Sequence, residues 1–307
     1  MLDNVSDPAD LSKLATLLDR HPDYRVLQRL PDTWPVCPVD DPVKVVILDT
    51  ETTGTDCHSD AVIEIGGLAV EADATTGQIG SVLSTYSALE DPGFSIPPSS
   101  TAIHGITDDM VKGKRFDDSG LQELLDGAAL LIAHNAAFDR PFLEKRFECF
   151  KRLSWGCSFK QIDWQAEGYG SAKLEFILYK LGYFYEAHRA VTDCHALLKV
   201  LAEPLPTSGV PAMQRVLDAA RQKEFVIHAL NAAFETKDLL KEKGFRWDAN
   251  SRVWKVTVSG KLSGDEMIAW MKKFVYYGAP TVTLGFEVVH PRDRFSLRSG
   301  TYATKLV

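Results

Sequence analysis

Residues 45–54 read VVILDTETTG. The apolar, β-branched run, which begins at Val43 as VKVVIL, is the pattern of a buried strand. It ends in Asp49 and Glu51, and a spacing of two puts both carboxylates on one face, because strand side chains alternate. Two like charges at the end of a buried strand repel unless a cation offsets them. The alternative is a polar strand end closed by a Thr-Thr-Gly turn.

Outward from this strand, AVIEIGGLAV (61–70) and SVLSTYSAL (81–89) are strand-like, with a turn near Gly77 between them, which predicts an antiparallel meander. Residues 101–127 are polar and helix-prone, and ALLIAHN (129–135) reads as another buried strand. Apolar side chains then recur at helical spacing at Phe138, Phe142, Leu143 and Phe147, at Leu174, Ile177, Leu178 and Leu181, and at Leu197, Leu198 and Leu201. Strands first, then strands alternating with helices, predict an α/β sandwich around a mixed sheet over residues 43–202.

The flanks differ from this unit. Residues 1–42 combine a helical pattern (Leu11, Leu14, Leu17, Leu18) with a connector punctuated by Pro31, Pro35, Pro38 and Pro42. EPLPTSGVP opens an expected linker over 203–220, and 221–307 alternates strand-like and helix-like runs as a small α+β unit. A chain of 307 residues has room for about two domains.

Five cysteines, scattered and without a C-x-x-C pair, argue against a disulfide framework or a zinc knuckle. No basic, apolar leader opens the sequence and no apolar run approaches the roughly 20 residues of a membrane span, so a cytoplasmic protein with no membrane partner is expected. The net charge of -8 conceals an asymmetry: 15 Lys/Arg against 9 Asp/Glu from Arg221 onward, and 19 against 33 before it. An acidic front suits a carboxylate metal site and a basic tail suits a phosphate backbone.

Two further segments carry acids. In LLIAHNAAFDRPFL (130–143), Asp139 stands near a helix start after a buried strand; in HRAVTDCHALL (188–198), His188 precedes Asp193 by five. Either acid alone reads equally as a helix cap or dipole partner. In order, however, D-x-E at a strand end, H-N-x-x-F-D, and H-x-x-x-x-D before an apolar helix resemble the three motifs of the DEDDh branch of the DnaQ-like 3'→5' exonucleases, a family that includes the proofreading epsilon subunits of bacterial replicative polymerases. STAIHGITDDM (100–110) matches a fourth segment, H-G-I-T, of that family.

The resemblance covers roughly residues 43–202 and implies a ribonuclease H-like fold. It also implies that Asp49, Glu51, Asp139 and Asp193 hold two divalent ions, Mg²⁺ or Mn²⁺, with His188 as general base, that Thr52 and Thr53 line the terminal nucleotide, and that Asn135 and Phe138 shape the second motif. His104 and His134 are expected to position or pack, with His104, Asn135 and Phe138 counted beside Thr52 and Thr53 among the substrate-binding residues. The chemistry agrees, since phosphodiester hydrolysis needs an activated water and neutralised phosphoryl oxygens, and hard oxygen ligands suit Mg²⁺ or Mn²⁺. Imidazole titrates near neutral pH, as a base requires. Tyr185, three residues before His188, lies at the wrong spacing to serve as that base.

The expected activity is therefore hydrolysis of DNA 3' ends, single-stranded ones above all, with a polymerase or repair protein as partner. An RNA 3'→5' exonuclease of the RNase T or oligoribonuclease kind is the alternative, and a polymerase-associated binding subunit is an alternative of another class. In the tail, GFRWDANSRVWKVTV (244–258) interleaves aromatics with cations, so Arg246, Trp247, Arg252, Trp254 and Lys255 are candidate nucleic-acid contacts. The competing reading is a small hairpin whose rings form its own core.

Overall fold

The computed structural model describes residues 8–298 and 300–307; the first seven residues of the expected arm lie outside the described residues. Along the chain come α1 (Pro8–Asp19), β1 (Gln28–Arg29), β2 (Pro42–Thr52), β3 (Val62–Asp73), β4 (Ile79–Leu89), α2 (Pro98–His104), α3 (Asp108–Val111), α4 (Asp118–Leu125) and β5 (Leu130–Ala133). There follow α5 (Ala136–Arg146), β6 (Trp155–Cys157), α6 (Ser158–Gln161), α7 (Leu174–Lys180), β7 (Tyr183–Phe184), α8 (Ala190–Ala202) and α9 (Ala212–Arg221). The last third holds β8 (Glu224–Ala229), α10 (Lys237–Glu242), β9 (Arg246–Asp248), β10 (Val253–Ser259), α11 (Lys261–Phe274), β11 (Thr283–Val289) and β12 (Thr301–Leu306).

The first sheet has the order β4-β3-β2-β5-β6, with β2, β3 and β4 antiparallel and β5 and β6 parallel to β2. The expected meander is present, and the sheet is the mixed, ribonuclease H-like one. Alternation along β2 divides its side chains between two cores. Val45 and Ile47 pack with α7, α8 and α9, whereas Val46 and Leu48 pack with α4 and α5. Asp49 and Glu51 continue the first face and Thr50 the second, so the register of β2 already decides which helix each residue meets.

The segment expected as a linker, 203–220, is only in part a connector. Residues 212–221 form α9, which buries Met213, Val216 and Leu217 in the core beneath α8. Its amphipathic repeat follows directly on the prolines, which is why punctuation overshadowed periodicity. The connector after α1 is likewise docked: β1 pairs in parallel with β7, and Trp34 donates its indole N–H to His195 Nδ1 at 3.2 Å. The leucines of α1 itself stay 37–66% exposed.

The second sheet is antiparallel throughout, order β12-β11-β8-β10-β9, with α10 and α11 on one face. Strand β12 carries no apolar alternation and is exposed along its length, so no sequence signal announced it. Residues 290–298, between β11 and β12, run back onto the first unit. Arg140, fully buried, donates to the carbonyls of Arg292 and Arg294 and to Glu144 at 2.6 Å, Ser296 Oγ donates to Glu144 at 2.7 Å, and Trp155 N–H donates to the Pro291 carbonyl at 3.2 Å. This strap joins the second sheet to the helix carrying Asp139.

Candidate active site

Asp49 and Glu51 stand at the end of β2 and face α8. Gly66 lies opposite Asp49 in β3, and a Cβ built there would meet the backbone of Ala190 and Val191 at 2.3 Å. The missing side chain lets the start of α8 press onto the sheet. Asp193, in the first turn of α8, is thereby brought beside the strand, and carboxylate oxygens of Asp49, Glu51 and Asp193 all lie within 4.8 Å of one another.

Asp139 enters from the other layer. It sits in the first turn of α5, is 2% exposed, and accepts a hydrogen bond from the Thr50 hydroxyl at 2.8 Å. Helix α5 starts from Asn135, whose φ of 81° is left-handed, a conformation asparagine tolerates better than most residues. Phe138 is half-buried against Phe142, with ring centroids 5.2 Å apart. His134 is tied on both nitrogens, to Ser158 Oγ and the Ala172 carbonyl, each at 2.8 Å; burial pushes its pKa down to about 4, so it stays neutral and acts in packing.

The electrostatics are those of carboxylates held close in a place poor in water. Burial first, then the charges of Asp139, Asp193 and Glu51, raise Asp49 well above the ordinary range. Glu51 is pushed up to about 8 and Asp139 to about 7, burial leading in both, and Asp193 is raised as well, again chiefly by burial. At neutral pH the site therefore keeps protons that a cation would displace.

His188 is exposed, adopts a left-handed φ of 67°, and donates its backbone N–H to Asp193 Oδ2 at 2.8 Å. Arg189 N–H donates to the same oxygen at 3.1 Å, and the Tyr185 hydroxyl donates to Asp193 Oδ1 at 2.9 Å. Tyr185 thus holds a carboxylate, a role that spacing relative to His188 did not suggest. Buried Glu64, the β3 partner of Glu51, receives the Arg189 guanidinium at 2.9 and 3.2 Å and the Ala190 N–H at 3.2 Å, anchoring the His188 segment to the sheet. Glu64, Arg189, Thr50 and Tyr185 were absent from the sequence-derived site. Only the AVIEIGG run, which places a charged residue and two glycines inside an apolar strand, hinted at the first of them.

Thr52 and Thr53 are buried, and their hydroxyls serve the loop: Thr52 donates to the Gly54 carbonyl at 2.6 Å and Thr53 accepts from Ala61 N–H at 3.0 Å. The Thr53 carbonyl accepts from Ser100 Oγ at 2.8 Å, which ties α2, and with it His104, to the end of β2. His104 is buried, with Nδ1 accepting from Ile106 N–H at 3.0 Å.

The tail residues do not converge. Trp254 pairs across the strands with Trp247 on the helix-covered face, and Arg246 and Lys255 pair on the opposite face. Phe245 is core, and Lys255 is held by Asp248 at 2.5 Å. Trp247, Arg246 and Arg252 remain exposed. The hairpin spends half of its aromatics and cations on itself, so the interleaving of the sequence did not make one surface.

The exonuclease (RNase T) family matches residues 46–201. This chain belongs to that family. It is 31% identical over 170 residues to DNA polymerase III subunit epsilon of Treponema pallidum, an alignment spanning 52% of this chain and 74% of that protein. It is 30% identical over 162 residues to the PolC-type DNA polymerase III of Clostridium perfringens, spanning 51% of this chain but only 11% of the polymerase. A solved structure of Exonuclease X in complex with 5' overhanging duplex DNA is similar with a TM-score of 0.41 and 25% identity, covering 56% of this chain and 97% of the other. By its family and its likeness to the epsilon subunit, the chain is a DnaQ-like nuclease of the hydrolase class. Among the described residues, no helix is long and apolar enough to cross a membrane.

Proposed function

We propose that this exonuclease removes nucleotides from the 3' end of DNA, single-stranded ends first, and depends on divalent metal ions. The observation that carries the reading is the convergence of the Asp49, Glu51 and Asp193 carboxylates within 4.8 Å, with Asp139 close enough to be the largest charge acting on Asp49. The donors are all hard oxygens, which fits Mg²⁺ or Mn²⁺. Two such ions, held by Asp49, Glu51, Asp139 and Asp193, would neutralise the phosphoryl oxygens and ease deprotonation of water.

The remaining work falls to the chain's own side chains. His188, exposed at the rim and linked to Asp193 only through its backbone, leaves its imidazole free to take the proton of the attacking water and return it to solvent. Tyr185 and the Arg189 N–H fix the orientation of Asp193, as Thr50 fixes that of Asp139. The resemblance of the chain to polymerase III components makes a polymerase or repair protein the fitting partner.

Purified full-length protein and its Asp49→Ala variant, incubated with 5'-labelled DNA and RNA strands with and without Mg²⁺ or Mn²⁺, test the reading. A ladder shortening from the 3' end, metal-dependent and absent in the variant, is expected on DNA. Shortening of RNA alone would replace the substrate with RNA, and a metal-independent ladder would remove the mechanism.

A further inference from the structure

The acidic front of the chain contains one basic knot, Lys112-Gly113-Lys114-Arg115. Its backbone is held as a tight turn. Asp91 accepts the Gly113 N–H at 2.8 Å and donates its own N–H to the Lys114 carbonyl at 3.0 Å, while Glu90 accepts the Phe116 N–H at 3.1 Å. Gly113, at φ 68°, permits the reversal. These neighbouring acids bind the turn's backbone. Among the described residues neither Lys114 nor Arg115 makes an ion pair or a side-chain hydrogen bond, and both are exposed.

Lys114 and Arg115 form one wall of a groove of about 430 Å³ whose other walls are Arg189, Glu64 and the end of β4. The single acid in it, Glu64, is buried and already neutralised by the forked Arg189 contact and the Ala190 N–H. The groove therefore offers two unspent cations on a rigid turn and no uncompensated anion, which is what a phosphate group requires. It opens beside the reaction site, because Glu64 pairs across the strands with Glu51 and its charge reaches both Asp49 and Glu51.

We propose that this groove is a phosphate subsite for the strand being cut, taking backbone phosphates 5' of the scissile one through Lys114 and Arg115. The inference rests on the exonuclease reading above and adds where the uncleaved part of the strand lies. It makes the basic turn a determinant of polynucleotide binding and leaves the chemical step untouched.

The test compares the full-length protein with a Lys114→Gln, Arg115→Gln double variant on three substrates: a single-stranded oligonucleotide, a duplex with a recessed 3' end, and the nitrophenyl ester of thymidine 5'-monophosphate, which is too small to leave the metal site. Two phosphate contacts on a single strand contribute about 1.4 to the salt slope, at about 0.7 each. Between roughly 50 and 200 mM salt the oligonucleotide KM of the unmodified protein should then climb about sevenfold more than that of the variant. The ester should be cleaved equally by both, which also shows that the variant is folded.

Equal KM and salt slope on the oligonucleotide, with the ester cleaved, overturn the subsite alone. An equal fall on the ester overturns it too, by placing the turn in the catalytic step. A loss confined to the duplex overturns its assignment to the cut strand in favour of the complementary one. No cleavage of any substrate by the unmodified protein would remove the exonuclease reading itself.

Discussion

Replacing Gly66 by alanine is the sharpest probe of how the site is assembled. The added Cβ would lie 2.3 Å from the Ala190 carbonyl carbon and the Val191 nitrogen, and 2.6 Å from the Ala190 oxygen. Ordinary contact begins near 3.4 Å, so α8 would have to retreat by about 1 Å, since both obstructing groups are backbone. Overpacking of this kind costs about 1–3 kcal/mol. For a protein of this size that lowers the Tm by roughly 2–4 °C per kcal/mol.

The functional loss should exceed the loss of stability. Asp193 rides on α8, and ligand distances tolerate only about 0.2 Å of error, while a 1 Å misplacement at a catalytic centre costs about 10²-fold in rate. Gly67 is the control. Its Cβ would meet first the Leu124 Cδ2 methyl at 2.5 Å, the far end of a side chain that can turn aside, on the face away from α8. Gly67→Ala should therefore melt lower yet keep most of its activity. Nuclease rates on a labelled oligonucleotide, with thermal melts of both variants, decide the matter. A Gly66→Ala protein with unchanged rate and Tm would refute the close-approach argument.

Three other outcomes follow from contacts already described. Tyr185→Phe removes one of three hydrogen bonds to Asp193 and should raise the Mn²⁺ concentration for half-maximal activity about 10-fold without unfolding the protein; an unchanged metal titration would count against that positioning role. In chelator, Glu51, raised to about 8, and Asp139, raised to about 7, bind protons more tightly folded than unfolded, so their contribution to stability is complete at low pH and is lost as pH climbs from about 4.5 through 8. Glu51→Gln should flatten that fall, and identical pH profiles of Tm in chelator for parent and variant would contradict it. Arg140→Ala leaves Glu144 and the carbonyls of Arg292 and Arg294 without their buried cation, a change that costs about 3–5 kcal/mol, and should expose residues 290–298 to limited proteolysis. A variant as protease-resistant as the parent would show that the strap is held by other means.

Much of the candidate site was legible before any fold was known. The period-two alternation of β2 places Asp49 and Glu51 together for any sequence that reads VVILDTE, and the order of three acid-bearing segments identifies a family because that chemistry tolerates few arrangements. The meander, the mixed sheet and the helices bearing Asp139 and Asp193 follow from hydrophobic periodicity, a local property of the chain, whereas the ribonuclease H-like fold was implied by the resemblance of the motifs.

What the sequence did not disclose was set by contacts between distant segments. Gly66 is one small residue in a strand-like run, and its role shows only when α8 is seen against it. Tyr185 fails a spacing test for a base yet lies within hydrogen-bond reach of Asp193. Arg140 drew no notice in the sequence, yet a strap about 150 residues later encloses it. Trp254 and Lys255 look like a nucleic-acid surface and are spent on Trp247 and Asp248. The residue types at the site and the faces of the elements that bear them are written in local pattern. How closely those elements approach, and which polar groups are already satisfied, depends on packing across long sequence separations, and only the tertiary structure decides it.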